Sequence, residues 1–167
     1  MSEKLPMEEI YDSNIREAIG TLFLTSAISE ITLTICLLRL LGHLHSQNPH
    51  IMLPLQGMQI RVKLQTITAA AAMIIPEEKD NIQKLCDKIE KAFKKRNLFA
   101  HGMTKRKPTG DKIAIYQPKF TETGDFPPPD VLTSDQIRQY ARRIHERTLA
   151  LEAHLTTSGV QNLLEHQ

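Results

Sequence analysis

Three side chains near the end of one amphipathic segment are equipped for proton transfer and phosphate binding. They are Arg96, Asn97 and His101, in the run Lys94-Lys95-Arg96-Asn97-Leu98-Phe99-Ala100-His101-Gly102. An imidazole titrates near neutrality, so it can take or give a proton. A guanidinium stays charged, and its planar fork matches two oxygens of a phosphate. A carboxamide beside them can orient either the ring or the phosphate. Upstream, Ile82, Leu85, Cys86, Ile89 and Phe93 recur at helical spacing and mark one apolar stripe. The next positions on that stripe are Arg96, Asn97 and Ala100, and His101 follows four residues after Asn97. The opposite side carries Lys84, Asp87, Lys88, Lys91, Lys94 and Lys95. The pattern therefore predicts that an Arg, an Asn and a His turn toward the interior or an interface. A charge placed there needs a partner or a purpose.

A plainer reading competes with this one. Helices collect cations in their last turn and glycine just after it, because the carbonyl end of the helix dipole favours positive charge. Gly102 then reads as the C′ residue. Lys94 and Lys95 already meet that need without lying on the stripe, and Asn is a poor helix-interior residue.

The elements that must hold these groups are helical. The first helix is expected from just after Pro6 to about His45, ended by Gly42 and then Gln47-Asn48-Pro49. Its apolar residues are Ile15, Ala18, Ile19, Leu22, Phe23, Ala27, Ile31, Leu37, Leu38 and Leu41. From Leu22 onward they cover more than one face, which suits a central helix that also serves an interface. Residues 47–56, with Pro49 and Pro54, read as a loop. A second helix is expected from about Met58 to Ile75, with Ala69 to Ala72 permitting close packing. Pro76-Glu77-Glu78 is a helix start, and the third helix runs to about Ala100. Ile113 to Tyr116 reads as a short strand whose partner is hard to place, because Phe126-Pro127-Pro128-Pro129 breaks the pattern. Thr133-Ser134-Asp135-Gln136 is a capping box opening a last helix to about Thr156. Its stripe is Ile137, Tyr140, Ala141, Ile144, Thr148, Leu151 and Leu155. The expected architecture is all-α: an antiparallel four-helix bundle with a long first helix and a short β excursion before the last. Residues 1–156 read as a single domain, and 157–167 as a flexible tail.

Composition narrows the function classes. A length of 167 residues suits one domain. Net charge is only +2, so an anionic partner must be met by a local patch. Aromatic content is 5% with no Trp, which argues against a stacking platform for single-stranded nucleic acid. Cys36 and Cys86 sit in apolar runs and read as buried free thiols. No metal-ligand spacing is visible, so no metal and no cofactor are expected. The N-terminus carries no signal-peptide pattern, and a cytoplasmic location is the expectation. The apolar run Ile31 to Leu41 is bounded by Glu30 and contains Arg39, too short and too charged for a membrane span.

The extended motif Arg96-Asn97-Leu98-Phe99-Ala100-His101-Gly102 resembles the signature of the HEPN superfamily, in its Arg-Asn-x-x-Ala-His-Gly form. With the long first helix, the strand-like segment and the final helix, the resemblance covers roughly positions 8 to 156. It implies a metal-independent endoribonuclease. The 2′-hydroxyl of RNA is the nucleophile, and the products carry a 2′,3′-cyclic phosphate and a 5′-hydroxyl. His101 is then the base, Arg96 the phosphate clamp, and Asn97 an orienting group. The resemblance also implies a homodimer in which two motifs meet across a shared cleft. A toxin, defence or RNA-processing role, with an antitoxin or regulatory protein as partner, belongs to the same expectation. Glu30, an acid amid apolar neighbours, is a further site residue as partner of Arg96 or His101, or else an exposed acid on the polar edge. Lys105, Arg106 and Lys107 follow the motif and suit an RNA backbone, or else a solvated turn. Two other readings stand beside the ribonuclease: a non-catalytic HEPN module that binds nucleotide or a partner protein, and a helical scaffold without a ligand.

Overall fold

Asp12 sets the start of the first helix. Its carboxylate accepts the main-chain N–H of Asn14 at 2.8 Å, the hydrogen bond of an N-cap. In this computed structural model, which describes residues 11–42, 49–104, 110–117 and 127–158, α1 spans Ser13–Leu40. The expected start just after Pro6 is therefore too early, since Tyr11 and Asp12 are not helical, and the part of that expectation at 7–10 lies outside the described residues. The stop is at Gly42, whose φ of 72° is the left-handed conformation that glycine adopts without strain.

Residues 49–57 correct the sequence reading. They form a helix, α2 (Pro49–Gly57), rather than a loop. Pro49 opens it, where a missing N–H costs nothing, and Pro54 forgoes only one bond of a short helix. Next come α3 (Ile60–Ile74), a 3-10 turn at Pro76–Glu78, and α4 (Lys79–His101). Three antiparallel strands follow in sheet order: β1 (Met103–Thr104), β2 (Ile113–Tyr116) and β3 (Asp130–Leu132). The strand that the proline run hid is β3, which begins directly after Pro129. Its register sets Ile113 against Leu132 and Ile115 against Asp130. The last helix, α5 (Ser134–Thr157), opens with the expected capping box. The Thr133 N–H donates to Gln136 Oε1 at 2.9 Å, and the Gln136 N–H donates to Thr133 Oγ1 at 3.3 Å. Of the expected tail, Thr157 is the last residue of α5, Ser158 forms the turn that follows, and 159–167 lie outside the described residues.

The protein is thus mostly helical, with one small sheet. The chain gathers into two compact units. One joins the chain up to Thr25 with Lys94–Arg142, and the other joins Ser26–Phe93 with the chain from Arg143 onward. The first unit buries Ile15, Ala18 and Leu22 of α1, Ile113 and Ile115 of β2, Leu132, Ile137 and Ala141. The second buries Leu33, Cys36 and Leu37, Ile67 and Ala71 of α3, Ile82, Cys86, Ile89 and Phe93 of α4, and Ile144, Leu151 and Leu155 of α5. Within it α4 and α5 run antiparallel: Arg147 donates to the Lys88 carbonyl at 2.7 Å, and His154 meets Glu78 at 3.0 Å.

The α1 face is less covered than its interior. Leu24 is 66% exposed, Ile28 48% and Ile31 58%, at helical spacings of four and three. Taken whole, α1 is long and apolar enough to cross a membrane by length and composition, although the run Ile31 to Leu41 alone is not; 44% of its apolar stretch is buried.

Candidate active site

The last turns of α4 and the sheet that follows belong to the first unit, and they border a half-open surface cavity of about 500 Å3. From α4 it is lined by Lys94, Lys95, Asn97, Leu98 and His101. Gly102 floors it, and Gln117 and Asp130 close it from β2's end and β3's start. Asn97 and His101 are four residues apart, so they share a helix face and meet the same space.

Gly102 is what lets the sheet come this close. Its φ is not in the left-handed region, so the expected C′ geometry is not its reason for being glycine. A Cβ there would overlap both Ile115 Cγ2 and the Leu98 carbonyl oxygen. The Gly102 N–H donates to that same carbonyl at 2.8 Å and ends the helix.

Arg96 takes a different direction. Five residues before His101, it sits roughly 140° away around the helix. The cavity lining does not include it. Its guanidinium carbon lies 5.2 Å from the centroid of the Phe23 ring, a cation–π arrangement, and Nη1 donates to Asn97 Oδ1 at 3.4 Å. Arg96 is half-buried, whereas Asn97, Ala100 and His101 are exposed. The inward turn read from the stripe is thus seen at Arg96, and the chain alone does not bury the other three. Lys95 extends over Tyr140, 6.0 Å from its ring centroid.

Glu30 belongs to the second unit and is half-buried on α1. Its main-chain carbonyl accepts Lys63 Nζ at 3.4 Å and Thr34 Oγ1 at 3.0 Å. Lys105, Arg106 and Lys107 lie outside the described residues. Among the described residues, no group of three His, Cys, Asp or Glu side chains is placed to hold a metal ion.

Sequence reasoning missed Phe23 as the seat of Arg96, and Gln117 and Asp130 as cavity residues. Nothing local marks Asp130, because its place depends on pairing with Ile115 across a separation the sequence does not reveal. Lys63 was also missed. It is 1% exposed on α3, and its Nζ donates to Thr34 Oγ1 at 2.8 Å. Burial of the ammonium lowers its pKa, and the charge of Glu30 opposes that shift. Both thiols are buried and unpaired with each other. Burial pushes Cys36 up to about 12 and Cys86 up to about 11.

Compared with protein families, with curated proteins and with solved structures, the chain matches none.

Proposed function

We propose that this chain is a metal-independent endoribonuclease of HEPN type, acting as a homodimer on RNA in the cytoplasm. The observation that carries the reading is the cavity at the end of α4, which brings the His101 imidazole and the Asn97 amide beside the cations Lys94 and Lys95. In the proposed reaction His101 takes the proton of the RNA 2′-hydroxyl, and that oxygen attacks the adjacent phosphorus. The bond from phosphorus to the 5′-oxygen breaks, and a protonated group returns a proton to the leaving oxygen. The phosphate becomes a 2′,3′-cyclic diester. Cations hold the charge that builds on the phosphorus oxygens.

Arg96 enters this scheme through a second copy, whose motif meets the first across a shared cleft. The exposed α1 residues Leu24, Ile28 and Ile31 support such an assembly, since they leave an apolar face uncovered. We read α1, α3, α4 and α5 as the antiparallel four-helix bundle of this family, with the sheet as its excursion. A toxin role held in check by an antitoxin or another regulatory protein is part of the same proposal. The position of Arg96 on Phe23, outside the cavity lining, favours one alternative: a non-catalytic module that binds nucleotide or a partner protein.

Incubation with RNA in excess EDTA tests the proposal. Cleavage is expected to persist, to leave 2′,3′-cyclic ends, and to spare DNA and 2′-methoxy RNA. His101→Ala removes the base, a loss on the order of 100- to 10,000-fold. Arg96→Lys is also expected to be poor, because a point charge does not reproduce the fork. Cleavage that needs a divalent metal, or that survives His101→Ala, overturns the mechanism. Nucleotide binding without cleavage turns the conclusion to the alternative.

A further inference from the structure

We infer that Asp130 selects guanine in the cavity beside His101; on the ribonuclease reading, from which this takes its setting, guanine is then the base next to the bond that is cut. The geometry comes from the sheet. Asp130 opens β3 and stands opposite Ile115 of β2, so their side chains share a face. Leu132, two residues on, shares that face too and is buried, as is Ile115. This is the inward face of the sheet, and Ile115 meets Gly102 on it. The sheet therefore carries Asp130 to the wall of the cavity that His101 and Asn97 line. Asp130 is half-buried there, and among the described residues its carboxylate has no ion pair or side-chain hydrogen bond.

Its neighbours in the cavity, Lys94, Lys95 and His101, suit a phosphate. A carboxylate repels one. It accepts hydrogen bonds only, so it suits a ligand edge that donates. Guanine offers N1–H and its 2-amino group side by side, matching two carboxylate oxygens. Adenine and cytosine set one amino group beside an acceptor, and uracil sets one N–H between two carbonyls. The Asn97 and Gln117 amides can serve the acceptors O6 and N7. Among the described lining residues none is Phe, Tyr or Trp, and the His101 ring is assigned to the proton transfer, so hydrogen bonds at the base edge carry the choice.

The test uses the full chain and two readouts. Calorimetry measures binding of guanosine, inosine, adenosine, cytidine and uridine 3′-monophosphates. In parallel, cleavage sites are mapped on an RNA containing every dinucleotide. Guanosine monophosphate is expected to bind about 5- to 150-fold more tightly than the adenosine, cytidine or uridine forms, the range for one two-point base contact. Inosine monophosphate, which lacks the 2-amino group, should fall between. Asp130→Asn should erase the preference while keeping the wild-type melting temperature, and Gln117→Ala should reduce it. Cuts should cluster beside guanine. Equal binding of all five nucleotides overturns the inference. So does base-blind cleavage, which leaves the ribonuclease reading standing. A uniform fall in cleavage by Asp130→Asn at every base, with a shifted pH profile, overturns it as well and makes Asp130 a positioning residue for His101. A guanosine preference lost in Asp130→Asn, in a protein that cuts no RNA, upholds Asp130 and rejects the ribonuclease.

Discussion

Two glycine-to-alanine substitutions in this one chain should move its stability in opposite directions. At Gly102 the new methyl overlaps Ile115 Cγ2 and the Leu98 carbonyl oxygen. Ile115 is 1% exposed and branched at Cβ, so its methyl has little freedom to move aside. The Leu98 carbonyl accepts the Gly102 N–H at 2.8 Å, so displacing it breaks the bond that ends α4. Overpacking costs about 1–3 kcal/mol and the lost hydrogen bond about 0.5–1.5, roughly 2–4 together. At Gly20, in the interior of α1, nothing lies within 4 Å of the added atom. There alanine reduces the freedom of the unfolded chain and favours the helix, a gain of about 0.4–1 kcal/mol. Urea unfolding at equal protein concentration reads both. With a slope of about 1–3 kcal/mol per molar, Gly102→Ala should lower the midpoint by roughly 1 M or more, and Gly20→Ala should raise it slightly. The melting temperature of Gly102→Ala should fall by roughly 4–16 °C. A Gly102→Ala midpoint at or above wild type would refute the close approach of sheet and helix on which the cavity depends.

Lys63 should make stability depend on pH in the alkaline range. Its folded pKa lies below the ordinary 10.5, so between those two values the unfolded chain binds more protons and stability rises with pH. Falling pH removes that contribution, completely so below the folded value. Lys63→Met should flatten this part of a plot of urea midpoint against pH, and an unchanged slope counts against the burial argument. Cys36 and Cys86, held near 12 and 11 by burial, should label slowly in the native protein and fast in urea. Rapid native labelling of both contradicts their place in the core. The α1 stripe should hold a dimer: light scattering should give about twice the 19.0 kDa chain mass, falling to the single mass in an Ile28→Glu/Ile31→Glu variant. A wild-type mass of one chain at micromolar concentration ends that proposal.

Local chemistry was legible where a signal and its effect lie within a few residues. The Thr133–Gln136 capping box was readable because both partners fall in one turn. The stripes of α4 and α5 were readable because burial follows the 3.6-residue period: Ile82, Cys86, Ile89 and Phe93 are buried, as are Ile137, Ala141, Ile144, Thr148, Leu151 and Leu155. The α2 segment was misread because proline was weighed as a breaker, whereas at a helix start it is compatible. On α1, apolar residues surround the helix, so periodicity could not separate buried Leu22 from exposed Leu24.

The site was half legible, for a reason that also shows how to read further. A charged residue on an apolar stripe was the signal for Arg96, and it held: the guanidinium is half-buried against Phe23. The same test applied to α3 picks out Lys63, which stands between Ile60 and Ile67 on the stripe and is buried. Side-chain type against helix phase therefore finds inward cations without any family resemblance. It does not find what faces them. Phe23 reaches Arg96 from α1, and Asp130 reaches the cavity through the pairing with Ile115, separations that no local period encodes. Gly102 sits where the two kinds of information meet. As a sequence signal it read as a helix terminator. In the structure its missing side chain is the space through which β2 approaches α4. That single absent methyl joins the helical motif to the sheet, so a chain that kept Arg96, Asn97 and His101 but filled position 102 would retain the motif and lose the cavity.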